Sequence, residues 1–106
     1  MPILSEKEAC EALNYTEIAE MPPKVLSILL PGVDEFLKSA TGKDWGTPTD
    51  SYTVIDPVAK MAAGILLVRW FEDSSEVGTA SGIGVIGLIA QLNAKHLQEL
   101  QKSAEE

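Results

Sequence analysis

Basic side chains are scarce: eight Lys and Arg stand against sixteen Asp and Glu, a formal net charge of -8. Proteins that hold a phosphate backbone gather Lys and Arg on one face, and no such cluster occurs here. Direct nucleic-acid binding is therefore not expected, and an acidic surface passing close to DNA would repel it. Cysteine is nearly absent. Cys10 stands alone, which excludes an internal disulfide framework and suits a reducing compartment. Glu8 and Glu11 flank it and disfavour a thiolate, so it reads as a small half-buried residue.

His96 is the single histidine, so no histidine pair, zinc cluster or catalytic triad can be assembled around it. Glu99 follows one helical turn later and reads as a solvated neighbour in preference to a metal co-ligand. The neighbouring acids Asp34-Glu35 and Glu72-Asp73 fall on different faces of their segments, whereas general acid–base work needs carboxylates converging in a dry cleft. Serine nucleophile elbows and phosphate-binding loops are missing. No enzymatic role, metal or cofactor is expected. The start of the chain, Met1-Pro2-Ile3-Leu4-Ser5-Glu6, lacks the basic and apolar pattern of a signal peptide.

What is present is helix signal. Ser5-Glu6-Lys7-Glu8 matches a capping box, with Leu4 just ahead, and predicts a short helix from Glu6 to Leu13 that Asn14-Tyr15-Thr16 ends. Pro23 suits the first position of a second helix, in which Val25, Leu26, Leu29, Val33, Phe36, Leu37 and Ala40 share a broad stripe. Pro31 interrupts it on the polar side, so this helix either kinks there or stops at Leu30 and restarts. Thr41-Gly42 closes it with glycine at the left-handed position.

Asp56-Pro57 is a cap followed by a first-position proline. From Val58 to Phe71 nearly every residue is apolar, and only Lys60 and Arg69 carry charge. The run is too short for a membrane span, which takes about 20 residues. It reads as a central helix that neighbours must surround, with Lys60 and Arg69 snorkelling or pairing with carboxylates. A last helix is expected from Val85 to Lys102, with 103–106 as a frayed tail. The fold expectation is thus all-α. It is one domain over 1–106, a small bundle of about four helices around a central buried helix (58–71), with a long irregular segment at 43–56.

Gly82-Ile83-Gly84-Val85-Ile86-Gly87 spells the dinucleotide fingerprint. The fingerprint works only after a strand and before a second parallel strand, and a polar loop precedes it here. The glycines read instead as residues that let the loop turn and the last helix approach a neighbour closely. Within 43–56, Trp45 and Tyr52 are large rings in an irregular segment, and Tyr52-Thr53-Val54-Ile55 has strand-forming composition. Such rings either anchor a protein partner or, for Trp45, pack over the end of the second helix. In the last helix Leu97 and Leu100 point about a quarter-turn away from Val85, Leu88, Ile89 and Leu92, so the rear half meets another molecule or the apolar face is simply broad. Trp45, Tyr52, Val54, Ile55, Leu97 and Leu100 are the candidate subunit or partner contacts.

Ala40-Thr41-Gly42-Lys43-Asp44-Trp45, the run Pro57 through Asp73, Gly84 through Leu92, and Leu4-Ser5-Glu6-Lys7-Glu8-Ala9 follow an order and spacing that resembles the small head–tail connector proteins of long-tailed phages. That family is also described as DNA-packaging or head-completion proteins. The best single point of likeness is Trp70-Phe71-Glu72-Asp73, and the departures are Met21-Pro22-Pro23 and Pro31-Gly32. The resemblance implies a helical virion subunit, assembled in the bacterial cytoplasm, that joins a homo-oligomeric ring beneath the portal. It would touch the portal protein and the next connector or tail-completion protein, and let DNA pass through its channel without specific binding. The resemblance carries over no catalytic residues. The competing expectation is a free-standing acidic interaction or regulatory module, an inhibitor or DNA mimic.

Overall fold

The computed structural model describes residues 3–46, 55–80 and 83–105. Among these the elements are α1 (Glu6–Ala12), a 3-10 turn (Ile18–Glu20), a π turn (Val25–Leu29) leading directly into α2 (Leu30–Thr41), α3 (Pro57–Glu72), a second 3-10 turn (Ser74–Glu76) and α4 (Ile83–Glu105). No strand occurs among the described residues. The fold is all-α, a small helical bundle.

The helix ends follow local chemistry. Ser5 Oγ accepts the Glu8 N–H at 3.1 Å while the Glu8 carboxylate accepts the Ser5 N–H at 3.0 Å, which satisfies donors that the first turn would otherwise leave unpaired. Asn14 takes a positive φ of 63° and ends α1, the Tyr15 N–H returning to the Cys10 carbonyl. Gly42 closes α2 at φ 82°, and its N–H reaches the Lys38 carbonyl. A left-handed residue is cheapest as glycine because a Cβ there crowds the following carbonyl. Asp56 Oδ1 accepts the Val58 N–H at 2.8 Å and starts α3.

Pro31 neither breaks the second helix nor restarts it. Helical backbone begins at Pro23, widens into the π turn, and runs on through Pro31. An α-helix would need a residue-31 N–H for the Ser27 carbonyl, and a proline ring crowds that oxygen. The π turn shifts the ladder so that the Leu30 N–H bonds the Val25 carbonyl instead, and the extra residue absorbs the clash.

α3 is the hub of the bundle. Ala59, Ala62, Ala63, Leu66, Leu67 and Trp70 form its buried side, and the three alanines let neighbouring backbones come close. Val25, Leu29, Leu30, Val33 and Leu37 pack on it from the second helix, with Val85 and Leu92 from α4 and Ile3 and Leu4 from the N-terminal segment. Phe36 meets Trp70 edge-on, ring centroids 5.6 Å apart, and the Trp70 indole donates to the Thr79 carbonyl at 2.9 Å. The hub is not fully enclosed, however. Met61 is 57% exposed and Ile65 36%, because these short helices reach only one side of α3. Overall the molecule is a slab of 48 × 30 × 18 Å.

One further expectation is corrected. Ile55 does not project toward a partner: it is 6% exposed and belongs to the core, as does Trp45 at 5%, which takes the packed alternative of the two open to it. The α4 backbone is helical through Glu105.

Candidate functional site

Of the residues singled out as partner contacts, Tyr52 and Val54 lie outside the described residues. The fate of Trp45 follows from Thr41. The Trp45 Nε1–H donates to Thr41 Oγ1 at 2.8 Å, and Lys43 Nζ stands 4.4 Å from the centroid of the ring. The indole therefore packs over the end of α2. Leu97 and Leu100 remain on the surface, 51% and 53% exposed.

Their surroundings define a larger feature. Between Ile83 and Gln101, α4 carries two charged side chains, Lys95 and Glu99. Both pair with the rest of the bundle: Lys95 Nζ lies 3.1 Å from Asp56 Oδ2, and Glu99 Oε2 lies 2.7 Å from Lys43 Nζ. Glu99 is thus committed to Lys43 and not to His96. His96 is half-buried against Gly42, with its Nδ1 lacking a hydrogen-bond partner. Over residues 84–101 the opposite face of α4 is left without charge. It presents Ile86, Ala90, Asn93, Leu97 and Leu100, all exposed, flanked by Gly87, Ala94, Gln98 and Gln101. Ile86, 53% exposed, was missed by the sequence reading. The signal available was its spacing to Leu97, which places both on one side of a helix. A Cβ added to Gly84 or Gly87 would meet nothing within 4 Å. The close approach expected of these glycines therefore does not occur within the chain.

A second surface lies on α3. Met61, Gly64, Ile65 and Val68, together with Ala12, floor an open groove of about 820 Å³. Its charges sit on the rim. Lys60 Nζ is 2.7 Å from Glu8 Oε2, and Arg69 faces Glu76 at 3.7 Å, so of the two fates expected, snorkelling or pairing, both cations take the pairing. The Lys60 ammonium, helped by the Ser5 N–H, holds the Glu8 carboxyl below its ordinary value.

A smaller recess of about 390 Å³ beside the π turn is acidic, with Glu6, Asp34, Glu35 and Asp44 around Leu30 and Pro31. Burial pushes the Asp34 carboxyl above its ordinary value, opposed by the Ile3 N–H that it accepts at 3.2 Å and reinforced by Asp44. Among the described residues no three His, Cys, Asp or Glu side chains are placed to hold a metal ion. Cys10 is buried, its thiol donating to the Tyr15 carbonyl at 3.2 Å. The fingerprint glycines Gly84 and Gly87 lie inside α4, with no described strand ahead of them. No described helix is long and apolar enough to cross a membrane. Two surfaces stand out among the described residues: an uncharged helical face and an apolar groove. No family model, curated protein or solved structure matches the chain.

Proposed function

We propose that this chain is a structural subunit of a tailed-phage virion, one copy of a ring that sits beneath the portal, joins head to tail and extends the DNA channel. The observation that carries the reading is the uncharged outward face of α4 in a chain of net charge -8. A helix face that meets only water ordinarily carries Lys, Glu and other charged residues. Charge is depleted where a surface is to be covered. The ordered resemblance to head–tail connectors supports the same reading. So does the acidic balance, since a channel wall that repels phosphates lets DNA slide without holding it.

In this role the chain performs no catalysis and needs no cofactor. Its partners are further copies of itself, the portal protein, and the next connector or tail-completion protein. It is built into the virion after synthesis in the bacterial cytoplasm. A second reading, an acidic regulatory module that mimics DNA, draws on the exposed acids Glu11, Glu17 and Glu20.

One experiment separates the two. The chain is co-expressed with the portal protein encoded in the same genome, and the complexes are imaged by electron microscopy. The ring reading expects an added coaxial ring on one end of the portal. A chain that stays apart from the portal at every ratio, and instead co-purifies one-to-one with a DNA-binding protein, supports the regulatory reading.

A further inference from the structure

We draw no further inference here: the strongest candidate, the open apolar groove on α3 floored by Met61, Gly64, Ile65 and Val68, carries nothing because nothing in the structure shows what covers it.

Discussion

The indole N–H of Trp45 donates to the hydroxyl of Thr41 across 2.8 Å, and both residues are buried. The same hydroxyl donates to the Leu37 carbonyl at 2.7 Å, so one oxygen ties the last turn of α2 to the segment that follows. Thr41→Val keeps the shape and removes the acceptor, leaving the buried indole donor unpaired. A loss of about 1–3 kcal/mol is expected, read as a lower urea midpoint. Thr41→Ser should restore most of it.

Gly42 closes the same helix at φ 82°. Its missing Cβ would lie 3.6 Å from His96 Nε2, an ordinary contact, so backbone strain and not collision governs a substitution there. Gly42→Ala should cost about 1–2 kcal/mol, and Gly42→Asn less, because asparagine tolerates the left-handed region. Thermal melts of the two variants against the native chain check the order.

Leu92 and Leu97 lie on the same helix with opposite roles. Leu92 is fully buried and Leu97 half exposed. Leu92→Ala should lower stability by about 2–5 kcal/mol, while Leu97→Ala should stay within about 0.5 kcal/mol. Sedimentation at high concentration should show the reverse ranking for assembly, with Leu97→Glu abolishing association and leaving the melt unchanged.

Two carboxylates respond to pH with opposite sign. Glu8 ionises below its ordinary 4.5 because of Lys60. The folded state therefore gains from its charge above that value, and loses the gain as pH falls through the lowered pKa. Asp34 is raised above its ordinary 3.8 by burial, so its charged form costs stability above the raised pKa and the cost vanishes on acidification. Asp34→Asn keeps an oxygen for the Ile3 N–H. It should stabilise the protein at neutral pH by no more than about 0.5 kcal/mol. That advantage should shrink once the pH drops past the folded value, as urea midpoints at the two conditions will show.

Most of the architecture can be read from residues that act on their immediate neighbours. Ser5, Asn14, Gly42 and Asp56 each set a helix end by a hydrogen bond or a dihedral within a few positions. Where a distant partner decides, the sequence is silent. Ile55 looks like a projecting apolar residue until the bundle closes over it, and Trp45 fits a partner anchor and a cover for the helix end equally well. Conversely, an apolar run such as Val58–Phe71 signals burial on all sides, but the described helices pack on one side of it and leave Met61 and Ile65 exposed. The π turn also escaped, because a proline inside an amphipathic stripe fits a kink, a break or a widened turn equally well. On α4 the even spacing from Ile86 to Leu100 was present in the letters. Its meaning depends on knowing that Lys95 and Glu99 point the other way.

A body 18 Å thick is scarcely two helix diameters deep, since each helix with its side chains takes about 10–12 Å. Nothing inside it is far from either broad surface. Leu66 and Leu67 of α3 are fully buried in the core between the two. Pressure applied at one broad surface therefore reaches the other through one thickness of tightly packed atoms, which yields little.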